Sequence, residues 1–139
     1  MGHRIPNHDG KCKFPHGHRY RLETTIRGQV STLKNTSSEG MIYDLSKLKL
    51  ILRQKIQDRL DHRFMIYKED KLLKNLFSDS LKKELNLFFV PFIPTAENIV
   101  LWCYQQIEDV FDTTIYVSRC RLFESPNSFV DFTPVSYTH

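Results

Sequence analysis

Residues 16–28 read HGHRYRLETTIRG, and the reading of this stretch decides the fold. From residue 19 onward the residues alternate. Tyr20, Leu22, Thr24 and Ile26 fall on one side, and Arg19, Arg21, Glu23 and Arg27 on the other. A period of two is that of a half-buried strand. His16 and His18 stand two apart at its head. A strand running through them to Tyr20 points both imidazoles to the same side.

Outward from this strand, Gly28 and the polar stretch 35–40 mark turns, and Met41 to Tyr43 resume as a strand. Asp44 and Ser46 are both suited to cap a helix. Leu45, Leu48, Leu52, Ile56 and Leu60 then recur at spacings of three and four, one apolar helical stripe. Within 61–86 only Leu72, Leu73, Leu76 and Phe77 suggest structure, a short helical turn. Residues 87–92 read as a short buried strand ended by proline. Thr95 caps a second helix with the stripe Ile99, Trp102, Cys103, Ile107, Val110 and Phe111. Residues 115–124 are β-rich, Pro126 and Asn127 turn, and 128–133 form a last strand. The pattern predicts a single α+β domain over 1–139, with helices segregated from an antiparallel sheet.

The chain has 139 residues, 40% hydrophobic and 26% charged, with a net charge of +4. That is the size and make-up of one globular domain. Its cations are scattered, with no run longer than two, so charge alone does not make a nucleic-acid surface; a few local cations serve a phosphorylated metabolite as well. Three widely spaced cysteines, Cys12, Cys103 and Cys120, argue against a disulfide framework and for a reducing, cytoplasmic setting. The longest apolar run, 87–93, contains Pro91 and is too short to span a bilayer.

The chemistry concentrates near the N-terminus. His16, His18 and a third imidazole from a neighbouring segment, for which His3 is the candidate, make a three-histidine zinc site with an open position for substrate. His8 and His139 read as incidental. Cys12 is open between a fourth ligand, a buried thiol and a reactive thiol. Lys11 and Lys13 beside it favour the thiolate and the reactive reading. Asp61 next to His62 fits an oriented acid/base pair, and equally a solvated helix end. Glu124 at a strand end can accept two hydrogen bonds from an amino-pyrimidine edge, or be an ordinary exposed carboxylate.

Seven fragments in order carry a resemblance. They are Gly2-His3-Arg4-Ile5-Pro6, Lys11-Cys12, His16-Gly17-His18, Gly40-Met41 with Asp44, Leu60-Asp61-His62, Pro94-Thr95-Ala96-Glu97-Asn98, and Glu124-Ser125-Pro126-Asn127. Over almost the whole chain this resembles the 6-pyruvoyl-tetrahydropterin synthase superfamily, in its 6-carboxy-tetrahydropterin synthase branch. The resemblance implies the tunnelling fold, an antiparallel four-stranded sheet with two helices on one side. Three subunits would join their sheets into a barrel, and two trimers would stack into a homo-hexamer with inter-subunit active sites. It implies zinc on His3, His16 and His18, Cys12 as general base, Asp61 and His62 as a second proton-transfer pair, and Glu124 as pterin anchor, with Thr95 also at the substrate. Lys11, Lys13 and Arg4 are placed by charge to meet a triphosphate.

The implied activity is a lyase reaction of the queuosine and 7-deazaguanine route. It converts 7,8-dihydroneopterin triphosphate to 6-carboxy-tetrahydropterin, releasing acetaldehyde and triphosphate. The three-residue spacer between Cys12 and His16 is similar to the carboxy branch. The alternative is the 6-pyruvoyl product from the same substrate, and a more distant one is a basic RNA-binding module using Arg19, Arg21 and Arg27. One departure stands out. The family has a strand before its first zinc histidine, and here that histidine is residue 3. A sheet lacking its first strand is expected to expose an edge and leave His3 on a frayed terminus.

Overall fold

A computed structural model describes residues 1–135 of the chain, so His139 lies outside the described residues. The strands are β1 (Gly2–His3), β2 (His16–Gly17), β3 (Arg21–Arg27), β4 (Phe64–Tyr67), β5 (Leu87–Val90), β6 (Tyr116–Ser125) and β7 (Ser128–Phe132). The helices are α1 (Leu45–Leu52), α2 (Asp58–Leu60), α3 (Asp79–Glu84) and α4 (Ala96–Ile107). A π-helical segment, Arg53–Gln57, joins α1 to α2, and a 3₁₀ turn, Lys11–Lys13, lies between β1 and β2. No helix among the described residues is long and apolar enough to cross a membrane.

The α+β content matches the sequence pattern, but the sheet does not. In place of one antiparallel sheet of four strands there are two sheets. The first is mixed, in the order β2-β1-β4-β5, with β1 antiparallel to β2 and parallel to β4, and β4 parallel to β5. The second, β3-β6-β7, is wholly antiparallel. The strand expected to run unbroken from His16 is cut at residues 18–20. Its head must pair with β1, whereas its body pairs with β6.

The N-terminus is tied down, not frayed. The Met1 ammonium donates to the His18 carbonyl at 3.2 Å, and the His18 N–H returns a bond to the Met1 carbonyl at 3.1 Å. The Gly2 N–H donates to the Arg63 carbonyl at 2.9 Å. A Cβ on Gly2 would meet the Phe64 ring at 2.7 Å, so only glycine lets β1 lie this close to β4.

Met41 to Tyr43 form no strand. Ser31 N–H donates to the Met41 carbonyl at 2.8 Å and Gly40 N–H to the Ser31 carbonyl at 2.9 Å. The segment then bends toward Asp44, too soon to continue a ladder. Asp44, not Ser46, is the cap of α1; its carboxylate accepts from the Ser46 N–H at 2.8 Å. Leu48 and Ile56 are buried as the stripe requires, but Leu45 is 68% exposed. The wide π turn at Arg53–Gln57 is not visible in a regular spacing of three and four. Region 61–86 holds two elements that its pattern did not mark, β4 and α3. Leu72 and Leu76 lie in turns and are exposed.

The core is built mainly by α4, which buries Ile99, Val100, Trp102, Cys103 and Ile107 against β6 and β7. Val117, Cys120 and Leu122 meet it from β6, and Ile56, Met65 and Val90 close the other side. Each fully buried aliphatic side chain contributes roughly 1.5–3 kcal/mol relative to exposure. Thr95 caps α4 by accepting from the Asn98 N–H at 3.2 Å. This fixes the preceding Pro94 carbonyl, which is used at the site described next.

Candidate metal centre and its surroundings

Pairing of β1 with β2 puts His3 opposite His16. The mutual bonds of Met1 and His18 hold the third imidazole beside them. One ligating nitrogen from each of His3, His16 and His18 lies within 4.8 Å of the others. The ring centroids are 4.5, 5.2 and 5.0 Å apart.

Two hydrogen bonds decide which nitrogens are free. His3 Nδ1 donates to the Pro94 carbonyl at 2.7 Å, and His16 Nδ1 donates to the Phe14 carbonyl at 2.6 Å. A carbonyl only accepts, so each Nδ1 carries the proton and each Nε2 keeps its lone pair. His3 is fully buried. Burial pushes its pKa down to about 4, against the upward pull of the Pro94 bond and helped by the neighbouring His16 and His18. A neutral imidazole with its second nitrogen anchored is the form that binds metal. His3 and His16 offer such donors and His18 a third imidazole nitrogen, a set that could hold a metal ion such as zinc.

Cys12 sits half-buried in the 3₁₀ turn. Two contacts tie this turn to the chain just after His3. The Ile5 N–H donates to the Cys12 carbonyl at 2.9 Å, and the Arg4 guanidinium donates to the Lys13 carbonyl at 3.1 Å. Arg4 Nε also meets Asp70 Oδ2 at 2.7 Å, in a pair whose side chains are 12% and 1% exposed. Arg4 therefore links the turn to Asp70. Lys11 is exposed on the same turn.

Tyr20, which the period of two marks only as a strand residue, packs against His3 and His18. Its hydroxyl lies 3.4 Å from both ring nitrogens of His3, and its ring centroid is 5.5 Å from that of His18. Burial holds the phenol well above its usual pKa, and negative charge on Glu124 and then on Cys12 adds to this. Cys12 and Glu124 thus both act on this hydroxyl through their charge. Glu124 lies where the β6–β7 register shifts between Phe123 and Ser125. The period of two through residues 16, 18 and 20 was the signal that could have added Tyr20 to the site.

Asp61 and His62 are placed differently. The helix stops at Asp61, whose backbone is extended, and His62 takes a left-handed φ of 60°. Asp61 Oδ2 lies 3.2 Å from His62 Nδ1, with side chains 59% and 88% exposed. His18, Tyr20 and Asp61 line one cleft of about 740 Å³ between the α1–α2 run and the start of β3; Cys12, His62, Thr95 and Glu124 do not line it.

The family model described as 6-pyruvoyl tetrahydropterin synthase matches residues 1–134. The chain belongs to this family. Members similar to it include the 6-carboxy-5,6,7,8-tetrahydropterin synthase of Haemophilus influenzae, 35% identical over 133 residues that cover 95% of this chain and 91% of that protein. The enzyme of the same name from Rickettsia bellii is 33% identical, covering 94% and 91%. The solved 6-pyruvoyl tetrahydropterin synthase of Plasmodium falciparum superposes with a TM-score of 0.70 at 20% identity, covering 94% of this chain and 87% of that one. That likeness places the chain among the tunnelling folds of the pterin synthase family.

Proposed function

We propose that the chain is a zinc-dependent 6-carboxy-tetrahydropterin synthase acting as a single domain. It would convert 7,8-dihydroneopterin triphosphate and one water to 6-carboxy-5,6,7,8-tetrahydropterin, acetaldehyde and triphosphate, the water supplying the second carboxylate oxygen, in the cytoplasmic route to queuosine and other 7-deazaguanines. The observation that carries this reading is the group His3, His16 and His18, with two free Nε2 lone pairs, beside the turn that bears Cys12. The similarity to proteins named for this activity supports the carboxy product over the pyruvoyl one.

In this reading His3, His16 and His18 hold the zinc. When bound, zinc polarises the substrate's side-chain hydroxyls and acidifies the adjacent C–H bonds. Cys12 Sγ takes the proton released there. His62, oriented by Asp61, relays protons to and from the pterin ring. Glu124 accepts hydrogen bonds from the amino-pyrimidine edge, Thr95 lies at the substrate beside the His3 anchor, and Lys11 meets the triphosphate. The exposure of Asp61 and His62 in the single chain supports a site completed between subunits of a homo-hexamer, a dimer of trimers.

The test is to incubate zinc-loaded protein with 7,8-dihydroneopterin triphosphate and identify the products. Acetaldehyde with 6-carboxy-tetrahydropterin is expected. The 6-pyruvoyl product would move the chain to the other branch, and salt-dependent RNA binding with no zinc-dependent turnover would remove the enzyme reading.

A further inference from the structure

Three consecutive carbonyls lead from Cys12 toward His16, and each has its own donor. The Cys12 carbonyl accepts from the Ile5 N–H at 2.9 Å, the Lys13 carbonyl from the Arg4 guanidinium at 3.1 Å, and the Phe14 carbonyl from His16 Nδ1 at 2.6 Å. The first donor is a backbone amide and the third an imidazole of the histidine group. The middle one is a long side chain, and its direction depends on what holds it.

Asp70 holds it. Its Oδ2 lies 2.7 Å from Arg4 Nε, and its Oδ1 accepts from the Leu72 N–H at 3.0 Å. Its main chain is fixed as well: the N–H donates to the Tyr67 carbonyl, and the carbonyl accepts from the N–H groups of Leu73 and Lys74. This post stands just past β4, which pairs with β1 beside His3. The carboxylate is 1% exposed. A buried ion pair is a poor source of stability, because desolvation offsets most of the attraction. What it supplies is direction: a planar guanidinium reaches two acceptors at fixed angles, here Asp70 and the turn.

The thiol on that turn acts toward the histidines. Negative charge on Cys12 is felt at the Tyr20 hydroxyl, which lies 3.4 Å from both ring nitrogens of His3. Resting on the reading of Cys12 as the base, we infer that Arg4 and Asp70 are positioning residues for it. Asp70 aims Arg4, Arg4 holds the Lys13 carbonyl, and the turn keeps the Cys12 sulfur in register with a substrate held at the histidine group. Asp70, being buried, acts only through Arg4.

The test compares the zinc-loaded protein with its Arg4→Lys and Asp70→Asn variants. Lysine keeps a positive charge opposite Asp70 but puts one ammonium on a flexible stem in place of the fork. Asparagine keeps an acceptor for the Leu72 N–H and removes the charge that orients Arg4. In both, kcat per zinc-loaded chain should fall about 10–100-fold, the scale of a misplaced catalytic group, with KM and zinc content unchanged. Amide hydrogen exchange without substrate is the second readout. The Ile5 and Phe14 N–H groups should exchange about tenfold faster, while those of Gly2 and His18, bonded elsewhere, keep their protection. The substitutions act on opposite ends of the pair, so if one variant fails to fold the other decides. Wild-type kcat, or unchanged exchange at Ile5 and Phe14, overturns the inference and leaves the pair as structural support. A raised KM at constant kcat also overturns it, by making Arg4 a substrate contact. So does loss of zinc, by making the pair a support of the ligand set. If the unsubstituted protein turns over no pterin, the proposed activity fails, and the exchange measurement still decides whether the pair holds the turn.

Discussion

The two histidine sites of this chain are built in opposite ways. At the N-terminus, His3 and His16 are each locked by a carbonyl, and the His3 ring is wholly buried. At the end of α2, His62 touches one carboxylate and is 88% exposed. The first arrangement is pre-organised by its own chain. The His3 and His16 ring positions and the proton on each Nδ1 are set before any ligand arrives. The second is an arm left in water, whose orientation has to come from a substrate or a neighbouring subunit. The same side chain is thus held fixed in one place and left in solvent in the other, and the difference lies in what surrounds it.

Substitutions can break or sharpen that contrast. The largest effect is expected from His16→Ala, which should lose both metal and turnover. Metal analysis that finds one zinc per chain in this variant would contradict the ligand set. Next, Cys12→Ala should abolish turnover while leaving zinc bound, separating the base from the ligands; full activity would remove Cys12 from the mechanism. For His62→Ala, a loss of about 10²–10⁴ in kcat is expected for a general acid/base. Its unfolding free energy should change by no more than about 0.5 kcal/mol, as for exposed positions. A large loss of stability there would mean that His62 is packed, not free. Last, Arg4→Met leaves the Asp70 carboxylate buried without its partner. Denaturant melts should show a loss of about 3 kcal/mol, since breaking a buried pair from one side strands a charge. Zinc stoichiometry should survive in that variant.

The cysteines repeat the lesson in another chemistry. Burial raises the Cys120 thiol to about 11 and pushes Cys103 higher still, while Cys12 is only half-buried. Alkylation of the folded protein should therefore label Cys12 first, and mass spectrometry of the peptides reads this directly.

The residue pattern carried the long elements well. Period two marked β3, the capped stripe marked α4, and Asp44 marked the start of α1. Each of these depends on neighbours in sequence. The elements it did not carry are short and held from outside. β1 has two residues, β2 has two, and β4 has four. A strand that short has no period to read, and it exists because Gly2, His18 and Arg63 find partners far along the chain. Tyr20 and the Arg4–Asp70 pair went unread for the same reason.

By itself the sequence determined the donor types, their spacing, and the helix and strand periods, because those are properties of consecutive residues. Only the tertiary structure decided that the sheet divides in two, that residue 3 is buried and not frayed, and that Arg4 pairs with Asp70. These depend on which distant groups satisfy a backbone bond or a buried charge, and a local pattern has no term for a partner sixty residues away.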